Sequence, residues 1–209
     1  IAKAGVEVFL SSGMNSIAEI DDAMEILLGH NPEVSITLMQ CTSEYPCPAE
    51  NVGLNVISEF QKKYPGIRIG FSDHSLGVYA PLAATMLGAV VLEKHFTLSK
   101  LMYGPDAKNS SEPAEFKFLV NEVRQLQIAM QNKVDKNEQA KKLKNMKFIF
   151  EKSVVAKELI SAGTTLTVDN ITTKKPSGGI PASDFDKILG CKVISDIPND
   201  TTLLWKDIE

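Results

Sequence analysis

Between residues 6 and 131, short β-branched runs alternate with stretches whose apolar residues recur at helical spacing. That alternation restricts the fold more than any other feature, because strands separated by helices pair in parallel with the helices laid on the sheet. Strands are predicted at "VEVFLSS" (6–12), "SITLMQCTS" (35–43), "IRIGFSD" (67–73) and "AVVLEKHF" (89–96), with helices at about 16–29, 49–64, 77–88 and 112–131. Asn15 or Ser16 can cap the first helix, and Glu19 lies three residues beyond Ser16 as a capping box requires. Ser111 is placed to open the last helix, with Pro113 where a missing N–H costs little.

Four βα units cannot close a parallel barrel, which takes eight. Only "IAKAG", the tail of a helix, precedes the first strand. The α/β fold is therefore expected to be the second half of a (β/α)8 TIM-type barrel, truncated at its N-terminus, with an open doubly wound four-stranded sheet as the alternative. A half barrel leaves two sheet edges and an apolar interior uncovered, so the chain alone is expected to associate and to be inactive.

The pattern then changes. "NKVDKNEQAKKLKNMK" (132–147) holds six lysines against two acids and reads as a solvated linker. After it come short strands split by "SAGT", "VDN" and "PSGG" turn signals, a second domain of some sixty residues. The expected domains are 1–131 for the half barrel, 132–150 for the linker and 151–209 for the small C-terminal domain.

Composition limits the partners. The chain is 44% hydrophobic and carries a net charge of −4 with no basic patch outside the linker, so nucleic acid is not an expected partner. With no apolar run long enough to span a bilayer and no signal-peptide pattern at the start, no membrane partner is expected and the cytoplasm is the expected location. Cys41, Cys47 and Cys191 are odd in number and show no CxxC spacing, which points to free thiols.

Side chains alternate along a strand, so Ser72 and His74 share one face with Asp73 opposed, and Glu93 and His95 share one with Lys94 opposed. Both histidines fall at the C-terminal ends of consecutive strands, the rim that holds the active site in βα barrels, where two imidazoles could share a divalent ion. A lone histidine there would more often be a hydrogen-bonded structural residue, and it is the matched pair that raises a metal role. His30, in "LLGHNP", reads as a helix C-terminal cap. In "QCTSEYP", Cys41, Ser43 and Tyr45 alternate onto one face, and "FLSSG" offers Ser11 or Ser12 before Gly13; hydroxyls at strand ends suit an anion or a sugar. In "YGPDA", Asp106 sits in a turn near the rim, as a turn residue or as a carboxylate that orients substrate.

Together, "LSSGMNSIAEI", "QCTSEYPCP", "GFSDHSLG", "LEKHFTL" and "GPDA" resemble, in order and spacing, the sialic acid synthase family, which makes N-acetylneuraminate, legionaminate or pseudaminate. "EKSVVAKELISAGTTLTVDNITTKKPSGGI" and "LGCKVISDIPNDTTLLWKDIE" are similar to the SAF domain, a β-clip fold related to type III antifreeze protein, that ends these synthases. The resemblance implies condensation of phosphoenolpyruvate with an open-chain N-acetylated hexosamine, N-acetylmannosamine or a relative, to a nine-carbon 2-keto acid and phosphate. It implies a divalent metal on His74 and His95, manganese or magnesium, with manganese better suited to imidazole ligands. It also implies phosphoenolpyruvate contacts from Ser11, Ser43 and Ser72, substrate contacts from Tyr45, and a catalytic, sugar-orienting role for Asp106. Family members carry four more βα units at the N-terminus, with an acidic residue and lysines that contact the substrates. They act as domain-swapped homodimers in which a "KRPG" arginine reaches the sugar N-acetyl group from the partner subunit; here "KKPS" places Lys175 there, and a lysine lacks arginine's planar fork. A metal-dependent aldolase or hydrolase on a similar barrel, and a noncatalytic sugar-binding or interaction protein built from a partial barrel and an SAF module, are the competing readings.

Overall fold

The computed structural model describes all of residues 1–209. They divide into two units, Ile1–Lys133 and Val134–Glu209. No helix is long and apolar enough to cross a membrane.

The first unit is a parallel four-stranded sheet in the order β1-β2-β3-β4, built from β1 (Val8–Ser11), β2 (Ile36–Cys41), β3 (Arg68–Asp73) and β4 (Leu92–Lys94). Helices α1 (Ile17–His30), α2 (Leu54–Lys63), α3 (Tyr79–Met86) and α4 (Pro113–Gln131) follow the successive strands. Ser16 and Glu19 form the expected capping box on α1, and the His30 imidazole Nδ1 lies 2.8 Å from the Ile26 carbonyl at its far end. Ser111 does not cap α4. Its backbone is already spent on the strand that continues β4, donating to the His95 carbonyl at 2.8 Å and accepting from the Thr97 N–H at 3.0 Å, so Glu112 takes the cap and its N–H donates to Glu115 at 2.9 Å.

Strand alternation sorts the sheet into two faces. Val8, Ile36, Leu38, Ile69 and Phe71 turn toward the helices and pack with Ile20, Met24, Ile57, Phe60, Ala80 and Ala84 into one core. Each fully buried Ile, Leu or Phe side chain among them contributes roughly 1.5–3 kcal/mol from the hydrophobic effect. The opposite face is not the uniformly apolar interior expected of a half barrel. Glu7, Thr37 and Arg68 form a polar ladder across it, Thr37 donating to Glu7 at 3.4 Å and Arg68 pairing with the same carboxylate. Beyond the ladder, Met39 fills the space left by Gly70, where a Cβ would stand 2.2 Å from the methionine sulfur. Phe9, 52% exposed, is the large apolar residue left open there. Strands β1 and β4 are the two edges, as expected for half a barrel.

In the second unit, residues 136–150 of the lysine-rich stretch are exposed as a solvated linker should be, yet they form two short helices, α5 (Lys136–Lys142) and α6 (Lys144–Phe150). Asp135 starts α5, its carboxylate accepting from the Asn137 and Glu138 N–H groups, and favourable helix propensities sustain it without a buried face. Strands β5 (Ser153–Ala156) and β6 (Ile171–Lys174) pair antiparallel, and single bridges such as Val155–Thr202, Ile160–Ile197 and Val193–Ile208 tie the remaining segments together. Val154, Ile160, Leu166, Ile171, Ile180, Ile188 and Leu203 close the core between them.

Candidate active site

Because the four strands are parallel, their C-terminal ends share one rim, and the register decides which side chains meet on it. Asp73 pairs with Lys94, so His74 and His95 face each other one step beyond the ladder. Their ring centroids are 5.2 Å apart and their planes nearly perpendicular. Tyr45 joins them, its ring 4.1 Å from that of His74 and 5.5 Å from that of His95. Asp106 reaches the same place from the loop after β4, with Oδ2 3.8 Å from His95 Nδ1. His74, His95, Tyr45 and Asp106 thus converge at one place on the rim.

His74 is held by its backbone and by its ring. Its carbonyl accepts from the Cys47 N–H at 2.9 Å, and its Nδ1 lies 2.8 Å from the Thr42 carbonyl. A carbonyl can only accept, so Nδ1 carries the proton and Nε2 is left with its lone pair free, the arrangement in which a second hydrogen bond prepares an imidazole as a metal ligand. No group of three or more His, Cys, Asp and Glu side chains forms a complete metal cage. Two imidazoles at this separation, with a carboxylate alongside, would nevertheless suit a divalent ion that takes water and substrate oxygens at its remaining positions.

The serines separate. Ser12 is buried and committed: its hydroxyl donates to Gln40 at 3.3 Å and accepts from the Cys41 N–H at 3.1 Å. Ser11 is exposed on the uncovered face and makes no side-chain hydrogen bond, which distinguishes it from its neighbour. Strand β2 stops at Cys41, so the alternation expected to put Cys41, Ser43 and Tyr45 on one face ends there. Thr42 turns its hydroxyl to the Asn51 carbonyl, Ser43 sits against Gly13, where a Cβ would be 3.3 Å from its Oγ, and Tyr45 swings toward the histidines. Ser43 therefore stands beside the β1–α1 loop and Tyr45 beside β3 and β4.

Ser72 is buried, and its hydroxyl donates to the Glu93 carboxylate at 2.6 Å. Glu93 is a site neighbour that the sequence reading does not single out; its one sequence signal is the strand face it shares with His95, and its register with Ser72 comes from the structure. Desolvation pushes the Tyr45 phenol above its ordinary range, with smaller coulombic contributions from Cys41, Asp106 and Glu93, so a hydroxyl that is already a donor at neutral pH remains one further into alkali. Lys175 lies in the second unit on the loop after β6, its ammonium 4.7 Å from the centre of the Phe150 ring.

Comparison with known proteins places the chain in a family. The model of the NeuB family matches residues 1–135, and that of the SAF domain matches residues 151–209. The N,N'-diacetyllegionaminic acid synthase of Campylobacter jejuni is 40% identical over 191 residues, covering 91% of this chain and 56% of that protein. The N-acetylneuraminate-9-phosphate synthase of Mus musculus is 40% identical over 210 residues, covering 100% of this chain and 57% of that protein. Among solved structures, the N-acetylneuraminic acid (sialic acid) synthetase of Leptospira borgpetersenii, in complex with citrate, aligns with a TM-score of 0.61 at 32% identity, covering 69% of this chain and 51% of its own. The chain spans less than two thirds of the length of these proteins. With its sheet of four parallel strands, its paired rim histidines and its closing β domain, the chain belongs to the NeuB family and carries a C-terminal SAF domain.

Proposed function

We propose that the protein to which this chain belongs is a nonulosonic acid synthase that condenses phosphoenolpyruvate with an N-acetylated hexosamine, releasing phosphate and forming a nine-carbon 2-keto acid. The observation that carries the reading is the meeting of His74 and His95 at the rim with Tyr45 and Asp106 beside them. In this proposal the two imidazoles hold manganese or magnesium, which supplies Lewis-acid polarisation of the sugar aldehyde. Asp106 orients the sugar next to His95, and the protonated Tyr45 hydroxyl donates to a substrate oxygen. Ser11 and Ser43 offer hydroxyls to the anionic oxygens of phosphoenolpyruvate. The Ser72 hydroxyl donates to Glu93 in this structure, so it can serve phosphoenolpyruvate as a donor only by leaving that carboxylate. Lys175 reaches the sugar from the SAF domain of a second copy in a domain-swapped homodimer.

The direct test is phosphate release from phosphoenolpyruvate by the full-length protein, with N-acetylmannosamine or a diacetylated relative as acceptor and Mn²⁺ added. Turnover that requires both substrates and is lost on chelation is the expected result. Absence of turnover with every N-acetylated hexosamine tried, in a folded protein that binds Mn²⁺, would leave a sugar-binding role in its place.

A further inference from the structure

The strand alternation that turns His74 and His95 toward the rim turns their immediate predecessors, Asp73 and Lys94, to the opposite face, where both are sealed from solvent with side chains 1% and 3% exposed. The two are direct register partners across β3 and β4. Lys94 Nζ lies 2.5 Å from Asp73 Oδ2 and 2.6 Å from the Ser75 carbonyl, while Asp73 Oδ1 accepts from the Ser75 N–H at 2.8 Å. Asp73 and Lys94 therefore grip both backbone polar groups of Ser75. His74 is the single residue between Asp73 and Ser75, and His95 directly follows Lys94.

We propose that Asp73 and Lys94 are positioning residues that set the distance and orientation of the two imidazoles. This deepens the metal-site reading and rests on His74 and His95 being the ligands. Three arguments support it. A fully buried ion pair is a weak source of stability, since apolar residues of similar volume often serve as well or better, so its presence beside the site needs another reason. The loop after β3 must leave the sheet immediately beyond Asp73, and a free Ser75 would let the His74 ring rotate away from the Thr42 carbonyl that fixes its proton. Finally, the clamp crosses from one histidine-bearing strand to the other, so it restrains the pair as a pair, which the hydrogen bonds that His74 alone makes with Thr42 and Cys47 do not. A ligand-bearing constellation is only as well placed as the shell that supports it.

Lys94→Met alone would leave a buried carboxylate unpaired and endanger folding. The deciding variant is Asp73→Asn/Lys94→Met in the full-length protein, which removes both charges at nearly constant volume; Asp73→Asn alone is a milder companion expected to show the same losses in smaller measure. Two readouts are taken without substrate: the dissociation constant for Mn²⁺ by the EPR signal of the free ion, and exchange protection of the His74 Nδ1 proton by NMR of ¹⁵N-histidine-labelled protein. Circular dichroism and the apo melting temperature verify the fold. Supporting support around a metal ligand typically changes affinity by about 10–100-fold, so a rise in the Mn²⁺ constant within that range, with loss of the protected Nδ1 proton in a protein that remains folded, is expected. A pair that merely stabilises the fold would lower the melting temperature and leave both readouts where they were. A folded double variant that keeps the protected proton and binds Mn²⁺ within about threefold of the wild type, well short of that range, would overturn the proposal. His74→Ala in the same series separates the two ideas: if it leaves Mn²⁺ binding intact, the metal reading fails, and the imidazole proton alone decides the clamp.

Discussion

The two units solve the problem of burying a β structure in opposite ways. In Ile1–Lys133 the parallel sheet has a helix-covered face and an uncovered one, two edge strands, and its chemically capable side chains gathered on the uncovered face and the rim. In Val134–Glu209 short antiparallel pairings and single bridges wrap around a core whose members, from Val154 to Leu203, are nearly all shut from solvent. Parallel strands need a helix for every return, so a sheet of four leaves a face and two edges over; antiparallel segments return through tight turns and can close on themselves within sixty residues. The unit that cannot close alone is the one that carries the candidate active site; from the closed unit, the proposed dimer would draw Lys175.

That contrast can be broken at several points. The largest effect is expected from His74→Ala or His95→Ala in the full-length protein: loss of Lewis-acid assistance worth several kcal/mol corresponds to a fall in turnover of about 10³-fold or more, with the fold intact. Steady-state phosphate release and circular dichroism check it, and unchanged turnover in both variants would remove the rim from the reaction. Next comes the covered face. Phe60 is 1% exposed in the core under the sheet, and Phe60→Ala is expected to cost about 3–5 kcal/mol. The loss should appear as faster amide exchange at Ile57 and Phe71.

The closed unit should respond to a smaller insult. A Cβ at Gly179 would stand 2.3 Å from the Leu203 carbonyl oxygen, so Gly179→Ala must displace backbone and is expected to cost about 1–3 kcal/mol, read as faster exchange at Val154 and Leu203. Mn²⁺ affinity, which the proposal assigns to the other unit, should not follow. Lys175→Ala is expected to raise the KM for the sugar about 3–10-fold while that for phosphoenolpyruvate stays near its wild-type value, since a remote contact to one substrate is mainly binding energy. Pairing a Lys175→Ala subunit with a His74→Ala subunit in a purified heterodimer places both lesions at one mouth and should recover up to about half of wild-type activity. No gain over the average of the two homodimers would mean that the lysine does not act across the interface.

The smallest effect concerns acid. The Lys100 ammonium, 2.6 Å from Glu115, holds that carboxyl below its ordinary range, helped by the Glu112 N–H. A carboxyl with a lowered folded pKa adds stability above its unfolded value, here near 4.5, and loses it as the pH falls through the folded one. An exposed pair of this kind is worth about 0.2–1 kcal/mol, so Lys100→Ala should trim stability at pH 7 by that much and have little further effect at pH 3. Urea titrations at the two pH values would show it. At the alkaline end, burial and the Asp21 carboxylate push the Tyr64 hydroxyl up to about 12, so its contribution is complete below pH 10 and fades toward 12.

The sequence by itself determined the order of strands and helices in the first unit, because period-2 and period-3.6 apolar patterns leave few alternatives over such lengths. It also gave the two histidines like positions, since "SDHS" and "LEKHF" set each at the end of one of two consecutive predicted strands. The tertiary structure alone decided what depends on register and on where each strand stops. The match of Asp73 with Lys94 brings His74 opposite His95, and the match of Ser72 with Glu93 commits the serine hydroxyl as a donor to a carboxylate that a reading along one strand does not reveal. The end of β2 at Cys41 parted Ser43 from Tyr45, and the close approach of Ser12 to Gln40 left Ser11 as the free hydroxyl. A period is written into each strand locally, whereas a hydrogen-bond partner belongs to the space between strands, and only packing the helices onto the sheet fixes that space.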